Sequence, residues 1–110
     1  MKKSEIKFQV ELDDQNIPEK IYWDADEKDV PGLSETKSIS LSLWDHKNQN
    51  TMRIDLWSKD MPVEDMKKFY IDCLGGLAQS ALNATGDEYM AQEMNNLCDR
   101  LVNHLKQQQS

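Results

Sequence analysis

The chain has 110 residues, 38% apolar and 30% charged, with 20 acidic against 13 basic side chains and a net charge of −7. That length suits one domain with a modest core, and the apolar share is too high for disorder throughout. The acidic surplus disfavours unaided binding to nucleic-acid phosphates or anionic lipid, which both need excess Lys and Arg.

Met1-Lys2-Lys3 begins like an export signal, but Ser4 to Gln9 alternates polar with apolar where a signal needs an unbroken apolar run. No window reaches the length of a membrane-spanning helix. The expectation is a cytoplasmic protein with no direct membrane insertion.

Ile6, Phe8, Val10 and Leu12 alternate with polar residues, as do Ile21, Trp23 and Ala25 beyond a turn-rich Asp13–Pro18 segment. Pairing these strands antiparallel so that partner numbers sum to 31 puts Val10 opposite Ile21 and Phe8 opposite Trp23. It also sets Glu11 opposite Lys20 and Lys7 opposite Asp24. A slip of one residue would invert both faces. Residues 26–35 read as a charged loop with a Pro31-Gly32 turn. A second hairpin follows, with numbers summing to 95: Leu43 against Met52, Leu41 against Ile54, Ile39 against Leu56.

From Arg53 to Phe69 the apolar period changes from two to three or four, so a strand runs almost directly into a helix. Asp60 is the candidate cap, with Pro62 in the first turn. Met66, Phe69, Tyr70, Cys73, Leu74, Leu77, Ala78, Ala81 and Leu82 form one stripe. Gly75-Gly76 interrupts it, which reads as close packing against the sheet. Thr85 and Glu88 have capping-box spacing, and a second stripe runs from Met90 to Leu105. The expected fold is a single α+β domain over 1–110. A four-stranded antiparallel sheet of two hairpins (within 4–57) precedes a two-helix hairpin (within 61–106) packed on one face, with a polar tail at 106–110.

Little in this pattern points to catalysis. His46, His104, Cys73 and Cys98 lack metal-ligand spacing. The cysteines read as small apolar residues at similar heights on two helices, in keeping with a reducing compartment. No nucleophile elbow or phosphate loop is present, so neither an enzyme nor a cofactor is expected. The outer sheet face departs from an ordinary solvated surface: Tyr22, Trp44 and Trp57 point away from the helices. Small Thr51 faces Trp44, small Ser38 faces Trp57, and Arg53, Ser40, Ser42 and Asp55 supply polar surroundings. Exposed Trp, Tyr and Arg are enriched at protein interfaces. Tyr22, Trp44, Arg53 and Trp57 are therefore the candidate protein-binding face.

The stretches Lys3–Phe8, Val10–Asp13, Pro18–Ile21, Leu43–Asp45, Arg53–Phe69 and Ala84–Glu88 together resemble the GldC-type gliding-motility-associated proteins of Bacteroidetes. The resemblance implies a small soluble protein associated with gliding motility and no enzyme activity; together with the exposed rings it leads to the expectation of a protein partner of the gliding machinery. It implies no cofactor and no established site residues. A homo-oligomer is compatible with it. The order of four strands then two helices is also similar in outline to the SecB export chaperone, so an export chaperone or adaptor for a motility or secretion client is the alternative.

Overall fold

A computed structural model describes residues 1–108 of the chain. It comprises two compact units, Met1–Met61 and the residues from Pro62 onward. The first holds β1 (Ile6–Leu12), β2 (Pro18–Ala25), β3 (Ser34–Thr36), β4 (Ser38–Asp45) and β5 (Asn50–Trp57). The second holds α1 (Val63–Thr85) and α2 (Glu88–Gln108). The antiparallel α+β class stands. The single four-stranded sheet does not: β1-β2-β3 form one sheet and β4-β5 another.

The first hairpin has the expected register, with Val10 opposite Ile21, Phe8 opposite Trp23, and the two charged pairs on the other face. Its turn is organised by Asp13, whose carboxylate accepts the backbone N–H of Gln15 (2.8 Å) and Ile17 (3.0 Å). Asn16 takes the left-handed conformation there (φ +63°). β3 overlaps the expected 26–35 loop at Ser34 and Glu35. It nonetheless pairs with the free edge of β2, setting Thr36 against Ile21 and Glu35 against Tyr22. Lys28 ties the preceding loop down. Its ammonium lies over the Trp23 ring (5.0 Å to the ring centre) and also approaches Asp24 and the Gly32 carbonyl.

β4 and β5 pair in the expected register from Ser38–Trp57 to Asp45–Asn50. Asp45 closes the turn by accepting from the backbone N–H of Asn48 (2.8 Å), and Gln49 is left-handed (φ +53°). The residues after β5 stitch this unit together. The N–H of Ser58, which is fully buried, donates to the Lys37 carbonyl, and that of Lys59 donates to the Pro18 carbonyl. The Lys59 ammonium reaches Asp13 (3.0 Å). Asp60 accepts from the Ser58 hydroxyl (2.7 Å) and from Lys37 (3.2 Å). It is therefore not the helix cap; Pro62 holds that position, without a side-chain bond.

These contacts set a pH dependence. Asp13 is held below the ordinary aspartate value of 3.8 by the Ile17 N–H and by Lys59, and Asp60 by the Ser58 hydroxyl and Lys37. Lowered carboxylates stabilise the folded state fully above that ordinary value, and the contribution is lost as pH falls through their folded values. Lys37 and Lys59 are raised above 10.5 by these same carboxylates and, for Lys37, first by Glu35. Their contribution is complete below that value and disappears as pH rises past it. Urea midpoints measured against pH should therefore fall on the acid side below about 4. Asp60→Asn should flatten that acid limb; an unchanged limb would contradict the assignment.

In the second unit α1 and α2 run antiparallel through a two-residue connection, Gly86-Asp87. Gly86 is left-handed (φ +70°) and its N–H returns to the Leu82 carbonyl, the position where glycine avoids a Cβ clash. Asp87, rather than Thr85, caps α2: its carboxylate accepts the N–H of Met90 (3.0 Å), while Thr85 accepts from the N–H of Asp87. Residues 106–108 of the expected polar tail continue α2, with Lys67 donating to Gln108 (3.1 Å). Gln109 and Ser110 lie outside the described residues.

Within the second unit, a Cβ added at Gly75 would meet Cys98 Sγ of α2 at 3.9 Å, and one at Gly76 would meet nothing within 4 Å. Gly75 thus lies on the line between the helices, beside Ile71, whose carbonyl is 3.9 Å from Cys98 Sγ. Since 3.9 Å is ordinary contact, alanine fits at both positions. Gly75→Ala and Gly76→Ala should each stabilise the protein by about 1 kcal/mol through helix propensity. Thermal unfolding followed by helical circular dichroism checks this; a loss at Gly75 would mean that the helices are closer than described.

Candidate functional site

The β4–β5 ribbon carries on one face the pairs Ser38–Trp57, Ser40–Asp55, Ser42–Arg53 and Trp44–Thr51. Strand alternation guarantees that these eight side chains share a side. Trp44 is 69% exposed and Trp57 47%. Each ring stands opposite a small residue, so neither is covered across the ribbon. They occupy opposite ends of the face, roughly 20 Å apart at the rise of an extended strand.

Arg53 spans the middle. Its guanidinium donates from Nε (3.1 Å) and Nη2 (2.8 Å) to the two carboxylate oxygens of Asp55. Nη2 also donates to the Ser40 hydroxyl (2.7 Å), and Nη1 to the Ser42 hydroxyl. The bidentate pairing fixes the guanidinium plane across both strands. Asp55 is pushed below its ordinary value chiefly by Arg53, then by Ser40. At neutral pH it is an ionised acceptor with no proton to give. The centre of the face is therefore flat, neutral in sum and rich in hydrogen-bonding groups. That arrangement suits recognition of a surface and lacks a general acid or an activated nucleophile.

Trp44, Arg53 and Trp57 thus come together as the alternation required. Tyr22 does not join them. It sits on β2 of the three-stranded sheet, opposite Gln9 and Glu35, and is half-buried. It therefore belongs to a different sheet from the two tryptophans. The Arg53–Asp55 lock had a sequence signal in opposite charges two residues apart on one strand. On the ribbon's other side Leu43, Met52 and Ile54 are each about half exposed. That apolar side is also open.

Among the described residues no cluster of His, Cys, Asp and Glu could hold a metal ion, and no helix is long and apolar enough to cross a membrane. Cys73 and Cys98 are both half-buried and are not joined in a disulfide.

No curated protein and no solved structure matches the chain. A family model described as gliding motility-associated protein GldC-like matches residues 18–107. The match begins at the start of β2, takes in the whole tryptophan-bearing ribbon and runs through nearly all of α2. Covering most of the sequence, it establishes that this chain belongs to the GldC-like family of gliding-motility-associated proteins.

Proposed function

We propose that this protein serves gliding motility without catalysing a reaction, as a cytoplasmic accessory that holds a protein partner of the gliding machinery on the β4–β5 face. Trp44 and Trp57 are the anchors and Arg53 is the central polar contact. The observation that carries this reading is the pair of exposed tryptophans flanking a preorganised Arg53–Asp55 pair on one ribbon face. Aromatic anchors around fixed hydrogen-bonding groups are the chemistry of interface hot spots. No cofactor enters this reading. Affinity capture from gliding cells, comparing the intact protein with the Trp44→Ala/Trp57→Ala double variant, tests it. Capture and gliding should both fail in the double variant while its fold persists; full gliding without either ring would defeat the proposal.

A second reading, an export chaperone or adaptor, draws support from half-exposed Leu43, Met52 and Ile54 on the ribbon's other side. Open apolar surface of that kind suits an extended, unfolded client. Suppression of client aggregation that survives loss of both tryptophans but not Met52→Asp would favour it over the first.

A further inference from the structure

The three-stranded sheet has the order β1-β2-β3, so β1 and β3 are its two edges. Among the described residues of the first unit only β2 pairs with β1, and those of the second unit form helices, which have no strand edge to offer. The two edges differ in kind. β3 is 3 residues long, too short to template another strand, whereas β1 is 7 residues long and holds no proline to blunt it.

The ladder fixes which backbone groups face outward. The Asp26 N–H donates to the Glu5 carbonyl. By antiparallel alternation Lys7, Gln9 and Glu11 therefore exchange hydrogen bonds with β2. The N–H and C=O groups of Ile6, Phe8, Val10 and Leu12 point away from the sheet.

The side chains select an occupant and a register for this edge. Laid antiparallel about a two-fold axis through Gln9, perpendicular to the sheet, a second β1 meets outward backbone groups with outward backbone groups. Lys7 of each copy then stands opposite Glu11 of the other. On the opposite face Phe8 meets Val10, and Ile6 meets Leu12. Both faces continue across the junction without inversion. Within each sheet Glu11 faces Lys20 and Lys7 faces Asp24, so the charged row reads Lys20, Glu11, then Lys7 and Asp24 of the second copy. Every step in that row is a cross-strand pair of opposite sign. A slip of two residues keeps the faces but unpairs Glu11, which then meets Gln9 or Glu5 instead of Lys7.

We infer that β1 is a homodimerisation strand: two copies join their three-stranded sheets edge to edge into one six-stranded sheet, held by about eight new backbone hydrogen bonds. The occupant is a second copy because the charge order along β1, Lys7 then Glu11, complements itself when reversed. The junction uses the edge of the sheet and neither of its faces, and the β4–β5 ribbon belongs to the other sheet.

Sedimentation equilibrium on the full chain, combined with amide exchange resolved by residue, tests this. The mass should reach twice 12.8 kDa and fall on dilution. In the dimer the Phe8 and Val10 amides should exchange slowly and lose that protection on dilution, while those of Lys7 and Gln9, bonded to β2, stay protected throughout. Lys7→Glu and Glu11→Lys should each raise the dissociation constant about tenfold, because each sets like charges across the junction twice. Mixing the two variants in equal amounts should restore the wild-type affinity, since every charge across the junction then has an opposite. A wild-type monomer at every concentration would overturn the inference. So would a dimer whose Phe8 and Val10 amides exchange freely, or a mixture no tighter than its separate components. The wild-type mass and exchange decide the matter even where a variant fails to fold.

Discussion

Ile21→Ala is expected to destabilise the protein by about 2–5 kcal/mol. Ile21 is wholly inaccessible to solvent and lies on the central strand of the three-stranded sheet, opposite Val10 on β1 and Thr36 on β3. Removing its outer atoms leaves a cavity that the neighbouring strands, tied by their ladders, cannot fully close. Ile21→Val should cost only about 0.5–1.5 kcal/mol, because it keeps the β-branch. Ile54→Ala is the contrasting substitution. Its side chain is 47% exposed, so much of its surface is never withdrawn from water and its loss should cost about half as much or less. Tryptophan fluorescence during urea unfolding reads these effects in residues 1–61, because Trp23, Trp44 and Trp57 all fall there. Equal losses at positions 21 and 54 would show that Ile21 is not the centre of its unit.

Loss of each ribbon tryptophan should weaken partner capture by about 2 kcal/mol, or about thirtyfold in Kd. Stability should change little at position 44, where the exposed ring has few contacts to lose. Trp57, more covered at the base of the ribbon, should show a modest stability cost alongside its binding loss. Arg53→Lys should also weaken capture. Lysine keeps the charge but cannot form the planar, two-pronged contact to Asp55 while reaching Ser40 and Ser42. Titration calorimetry with the captured partner, beside urea unfolding of each variant, separates binding from folding. A Trp44→Ala protein that binds with unchanged affinity would remove that end of the face from the interface.

Gly75 and Asp87 show what a stripe of apolar residues conveys and what it omits. The period-three-and-four pattern marks both helices and their reversal near Gly86, but it does not say which side of α1 meets α2. The structure shows that side in the approach of Gly75 and the Ile71 carbonyl to Cys98 Sγ. Likewise Thr85 and Glu88 have the spacing of a cap, yet α2 begins two residues later and Asp87 takes the role. The first depends on a partner 23 residues away, the second on the left-handed turn at Gly86.

The two hairpin registers were written in the sequence, because alternation along each strand puts apolar and charged residues on opposite faces and any slip exposes the wrong set. The same alternation placed Trp44, Arg53 and Trp57 on one side. Only the tertiary structure decided that β3 takes the edge of β2, dividing the strands into two sheets and separating Tyr22 from the tryptophans. Strand edges offer backbone N–H and C=O groups that are the same for every residue type. Which edge is filled therefore leaves almost no mark on the side chains, whereas which face is buried marks every one of them.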